Sequence, residues 1–491
     1  MKPAGNKLFL LIKSLNAAEK RHFRRQATLH GKTDLDYLRL FDTLEALSEF
    51  SERELKMRLT GASFLRHLPV IKEQLYQRLL DSLHLYYMEQ SPEEQVKRRL
   101  HQVYILLKRG LEEQAGALLV KLKKQIGRDG LTAYWPEYMD LERAWLEKGF
   151  KTGLSSAQLQ LWRETYAAHL DSLRIDLEQA WLKSEMARLH VRRVRYTPET
   201  ADHFRETLLP LSPTGGSGAG KADFQQARSL FFFMQGEKTE AYNSNKALLE
   251  TLEAFPDNAR FIADRYLSTL YNLLIDQLQL GDHAGLSRGL DKLRALRHRS
   301  AFKQIKGLNI RIFQWSSQLE LNSLIAQRKY AAAFLKAPEI AASLHRLEKD
   351  LLPQTVVTLR YLLGLIAFQT RNYGFALAQI TPLYQENRPA VAEEIYRYAL
   401  WLYLLIHYEL GNDQLMEHLL VSARRQVAQR RDVLKAERLL LTNLRRLGSA
   451  AGEKEKKEIK REWQQEIGIL MEDGSERRFF EYLDLEGWLG G

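Results

Sequence analysis

The chain has 491 residues, 45 % hydrophobic and 27 % charged, a balance that excludes wholesale disorder and admits two to four domains or one repeat array. It holds 87 Leu against 12 Val, which favours helices over extended sheet. The absence of cysteine excludes disulfides, a cysteine nucleophile and thiolate zinc sites, and a net charge of +12 directs attention to anionic partners.

The first apolar run, Leu8 to Ile12, is shorter than the roughly 7–15 residues of a signal peptide. The longest, Tyr398 to Ile406, falls far below the roughly 20 of a membrane helix, so a cytoplasmic protein with no membrane partner is expected. Residues 1–90 read as a separate helical module. Asn16 with Glu19 forms a capping box that opens a basic helix over Ala17 to Thr28. A second helix covers Asp34 to Ser48, and Ser51 with Glu54 caps a short one through Leu59. Thr60-Gly61-Ala62 then turns into a long helix ending near Met88. The same outline fits a helix-turn-helix, so Arg24 and Arg25 are candidates for nucleic-acid contact.

Helical repeats are expected over 91–211, with hinges at Gly110, Gly149 and near Arg193. Residues 212–221, rich in Gly and Ser, read as a flexible loop. Gly215 to Ala222 matches a P-loop except at its last position. Ala222 lacks the hydroxyl that ligates magnesium, and Pro210 and Pro213 spoil the strand that should precede the loop. No bound nucleotide, cofactor or metal is expected. His407 and His418 lie eleven residues apart, three helical turns, and two ligands alone make no metal site.

From 222 to 447 the amphipathic pattern breaks at Gly236, Gly281, Arg328–Lys329, Asn372 and Gly411, at intervals near 45 residues. One helical hairpin per interval marks an α-solenoid, because a single hairpin cannot cover its own apolar stripe. Arg288 to Arg311 is densely basic, and Arg294, Arg297, Arg299, Lys303 and Lys306 are further nucleic-acid candidates. The clearest repeat runs from Arg360 to Arg388, through Leu363-Gly364, Ala367-Phe368, Asn372-Tyr373, Ala376-Leu377 and Ile380. It resembles a tetratricopeptide repeat, with a longer period than that family's 34 residues. Residues 448–491 carry a net charge of −4, end in an aromatic run, Phe479 to Trp488, and read as capping helices; a docking segment for a partner is the alternative. That ending and the stretch from Lys7 to Phe23 are also similar to a group of uncharacterised bacterial helical-repeat proteins, a likeness that brings no activity with it.

The tetratricopeptide resemblance implies an all-α fold in which about eight degenerate hairpins wind into a right-handed superhelix. It also implies a concave groove lined by the first helix of each hairpin, with a protein or peptide as ligand. With Gly281 at an inter-helix turn, Asn272 falls on the groove side, and Arg265 lies two turns before it. In the next hairpin Arg311 and Trp315 are one turn apart and offer a cation and an aromatic anchor. No catalytic motif stands out. The expected function is therefore a non-catalytic binding scaffold, and a nucleic-acid-binding or transcription-regulating protein is the alternative.

Overall fold

Seven helix-ending turns among the described residues share one geometry. In the computed structural model a residue with positive φ follows the helix end at Gly110, Gly130, Gly236, Gly281, Arg328, Arg371 and Gly411. The next amide then bonds back five residues: Glu237 N to Phe232 O at 2.9 Å, Asp282 N to Gln277 O at 2.9 Å, Lys329 N to Leu324 O at 2.8 Å and Asn372 N to Ala367 O at 2.8 Å. This is the Schellman arrangement, which satisfies carbonyls that a helix end leaves unpaired. From Gly236 onward the turns recur every 45, 47, 43 and 40 residues. The fourth hinge pivots at Arg371 rather than at the expected Asn372, whose amide makes the back-bond.

The structure describes residues 4–29, 34–88, 92–149, 155–191, 202, 204–206, 216–254, 259–303, 305–386, 389–430 and 432–490. All regular structure among them is helical. The chain divides into two units, residues 1–184 with 209–224, and residues 185–208 with 225–491.

In the first unit, α1 (Ala4–Ser14), α2 (Ala17–Leu29), α3 (Asp34–Ala46), α4 (Glu52–Arg58) and α5 (Leu68–Tyr87) enclose a core of Leu8, Ile12, Phe23, Leu40, Phe41 and Leu75. The expected capping box is present: Asn16 Oδ1 accepts from Glu19 N at 3.0 Å, and Glu19 Oε2 accepts from Asn16 N at 2.7 Å. Next come α6 (Pro92–Lys108), α7 (Glu112–Arg128), α8 (Trp135–Gly149) and α9 (Ser156–Val191), and α6 to α8 share a second core. The hinge expected near Arg193 and residues 212–215 lie outside the described residues. The expected flexible loop does not extend through 221. Gly218 to Lys221 already form the first turn of α10 (Gly218–Gln235), because Ser217 Oγ accepts from Gly220 N at 3.1 Å and Asp176 Oδ1 accepts from Ser217 N at 2.8 Å.

The second unit continues with α11 (Lys238–Glu253), α12 (Ala259–Leu280), α13 (His283–Ala295), α14 (Leu308–Ala326), α15 (Tyr330–Leu347), α16 (Pro353–Gln369), α17 (Tyr373–Glu386), α18 (Pro389–Glu409), α19 (Asp413–Ala428) and α20 (Lys435–Ser449). Each of these packs on the next, and α12, α14, α16 and α18 also pack on one another in series. Gly364 of α16 allows a close crossing, since a Cβ there would meet Ile380 of α17 at 2.5 Å. Three more helices follow: α21 (Glu453–Leu470), α22 (Gly474–Leu483) and α23 (Leu485–Leu489). Helix α21 covers α20, as a terminal cap should. Helices α22 and α23 turn back along the chain, and Phe479, Leu483 and Leu485 enter the core of α16 and α18.

Candidate peptide-binding face

Helices α12, α14 and α16 contribute to one face, and the residues singled out on α12 and α14 can be placed on it. Arg311 Nη1 reaches Asp264 Oδ1 at 2.6 Å, which ties α14 to α12. Two turns further along α12, the Tyr271 ring stacks on Trp315, with centroids 4.2 Å apart and planes within 12°. Trp315 keeps part of its surface in solvent, so it is neither core nor a free anchor. Asn272 is exposed, and Arg265 is half-buried. Seven residues after Trp315, Asn322 opens onto a cavity of about 440 Å³.

That cavity has an apolar floor of Leu278, Ile325, Ala326, Leu362, Leu365 and Phe480. Its far wall is the returning C-terminal segment. Sequence periodicity cannot reveal this docking, because a reversal of chain direction leaves no periodic trace. The only signal is the density of aromatics after 478, which alone does not say where they insert.

The C-terminal segment is held as a helical ligand would be held. Glu476 places its carboxylate on the free amides at the start of α20, accepting from Lys435 N at 2.8 Å and Ala436 N at 2.9 Å. Tyr361 Oη donates to Tyr482 O at 2.8 Å, and Gln369 Nε2 donates to Asp484 O at 2.8 Å. Trp488 Nε1 donates to Glu409 Oε1 at 2.8 Å. Asp484 accepts from Tyr330 Oη, and Arg328 bridges to Glu486 at 2.9 Å. Burial and the bond to Asp484 push the Tyr330 phenol well above its ordinary range, so it remains a donor.

The basic candidates are spread differently. Arg24 is tied to Asp42 at 2.8 Å and to Glu45 at 2.5 Å, while Arg25 is exposed. Arg294 is paired with Glu320 at 2.5 Å. Arg297 donates to Arg294 O at 2.9 Å, and the Arg299 guanidinium lies 5.6 Å from the Phe302 ring centre. Lys303 and Lys306 are exposed on the connection from α13 to α14.

Two polar clusters complete the picture. Ser323 Oγ lies 2.9 Å from His283 Nδ1, and Gln327 Nε2 donates to the same oxygen at 3.2 Å, which joins α13 to α14. His407 is buried on α18 with Nδ1 2.8 Å from Asn412 Nδ2, whereas His418 is exposed on α19; the two imidazoles occupy separate helices instead of one face. Burial holds the His407 pKa below its ordinary value. Among the described residues no three His, Asp or Glu side chains gather as a metal site, and no helix is long and apolar enough to cross a membrane.

These features define a class, a chain of helical hairpins in which residues 476–489 dock back on α16, α18 and α20. Compared with the models of known families, with curated proteins and with solved structures, the chain matches none.

Proposed function

We propose that the chain is a non-catalytic protein- or peptide-binding scaffold that offers the shared face of α12, α14 and α16 to a partner. In this reading the hairpins, about eight in all, wind into the right-handed superhelix that the tetratricopeptide resemblance implies, with that face inside. One observation carries the proposal. On α16, α18 and α20 the hairpins already hold a helical segment, residues 476–489, by apolar sockets, backbone carbonyl contacts and a carboxylate that caps α20. These are the means by which helical grooves recognise peptides. On α12 and α14 the equivalent stretch carries Asn272, Trp315 and Asn322 open to solvent at least in part.

The test is in-cell cross-linking of the full chain followed by mass spectrometry, repeated with Arg265→Glu, Asn272→Ala and Arg311→Glu combined. Protein partners captured by the parent are expected to disappear in a variant that melts like it. Undiminished capture removes this face from the reading. The exposed Lys303 and Lys306 favour the alternative, a nucleic-acid-binding or transcription-regulating protein. That alternative takes over if the captured material is RNA or DNA and reversing Arg25, Arg297, Lys303 and Lys306 to Glu abolishes it.

A further inference from the structure

In the cavity of about 440 Å³ the scaffold and residues 476–489 form a joint surface, and its chemistry is one-sided. The floor is apolar, from Leu278, Ile325, Ala326, Leu362, Leu365 and Phe480. Its volume lies in the range of ordinary ligand sites and exceeds what one buried side chain needs. The rim holds three carboxylates, Glu481, Asp484 and Glu486, against one guanidinium, Arg328. Arg328 is already committed to Glu486 at 2.9 Å and to Asp484 at 3.8 Å. Glu481 is exposed and pairs with the exposed Arg477 at 3.2 Å, a pairing worth little in water. A net-negative rim on a chain of net charge +12 is a local reversal of sign.

We propose that this cavity is the anchoring pocket of the peptide face, and that it takes a large apolar side chain from a peptide segment with Lys or Arg beside that anchor. The proposal rests on the peptide-binding reading above and deepens it. The anchor fills the apolar floor, Asn322 meets the peptide backbone at the mouth, and Glu481 and Glu486 receive the basic flank. Trp315 lies ten residues before Ile325 on α14, about 15 Å along the helix axis. A segment of four or five extended residues therefore spans from the Tyr271–Trp315 stack to the pocket. Nucleic acid does not suit this rim, since its phosphates would face the three carboxylates.

The probe is a displayed library of random 12-residue peptides selected on the full chain at low salt. The expected result is an enriched pattern of one large apolar residue with adjacent Lys or Arg. Ala326 is the exposed member of the floor, so Ala326→Trp intrudes on the cavity from its solvent side without disturbing the core, and binding is expected to fall at least tenfold. Glu481→Arg needs no repacking and should select against the basic flank by a similar factor. If no pattern is enriched, or an enriched peptide is acidic, the proposal is overturned. If peptides bind equally to both variants but are lost with Trp315→Ala, the pocket assignment fails while the peptide-binding face survives.

Discussion

Single residues set the turns and the closest approaches in this fold. Arg328 and Arg371 hold positive φ of 54° and 60° where glycine stands in the other hairpins. A side chain in that region is strained by roughly 1–2 kcal/mol. Arg371→Gly should therefore raise stability, by up to about 1 kcal/mol once glycine's extra freedom in the unfolded chain is subtracted. Arg328→Gly should gain less, because it also loses Asp484 and Glu486; urea midpoints of the two variants make the comparison. Gly364→Val should cost about 1–3 kcal/mol, since its Cβ meets Ile380 at 2.5 Å in a closed crossing. The buried Asp276 accepts one bond, from Asn245 Nδ2 at 2.6 Å, and burial raises its pKa from 3.8 to about 6. Between those values the folded chain keeps a proton that the unfolded chain releases. Its contribution to stability therefore falls as pH rises from about 4 to 6 and then levels. Asp276→Asn should match the parent near pH 4 and exceed it by roughly 2–3 kcal/mol above pH 7, from one pKa unit being about 1.4 kcal/mol. Melting both proteins across that range checks the sign.

Among the elements, the returning pair α22 and α23 matters most. In sequence, residues 448–491 read as capping helices from their acidic, aromatic ending, with a docking segment as the alternative. The cap itself is α21, and the aromatics go elsewhere. Phe479 is fully buried beside Tyr398, with ring centroids 5.7 Å apart. Phe479→Ala should cost about 3–5 kcal/mol, as in other cores, and should raise amide exchange across α22 and α23 before it raises exchange in α16. Equal exchange in both regions would mean that the segment is no separate ligand but an inseparable part of the hairpin core. The glycine-rich start of α10 carries the opposite lesson. Its resemblance to a P-loop is in spacing alone, since the Asp176 carboxylate occupies the Ser217 amide that a phosphate would need. Isothermal titration with Mg-ATP should show no saturable binding, and Lys221→Ala should change nothing.

At the scale of the whole molecule, the charge of +12 is partly spent in pairs between helices, such as Arg24 with Asp42, Arg294 with Glu320 and Arg311 with Asp264. Such pairs hold neighbours in register and leave less free charge than the count suggests. Affinity for a selected peptide should therefore change less than about tenfold between 50 and 200 mM salt, whereas six or more phosphate contacts would lose roughly a thousandfold over that interval. Fluorescence anisotropy at both salts separates the cases.

Sequence by itself determined the helical class, the hairpin rhythm and the N-terminal capping box, because caps, turns and 3.6-residue periodicity act over a few neighbouring positions. Asn16 with Glu19 and the turn glycines were readable in that way. Only tertiary structure decided that Arg311 is held by Asp264, 47 residues away, and that Trp315 lies flat on Tyr271. It alone decided that residues 476–489 close one side of a pocket whose floor begins at Leu278. Those contacts join positions separated by several hairpins, and their partners are chosen by how the hairpins stack, a property that no local pattern encodes.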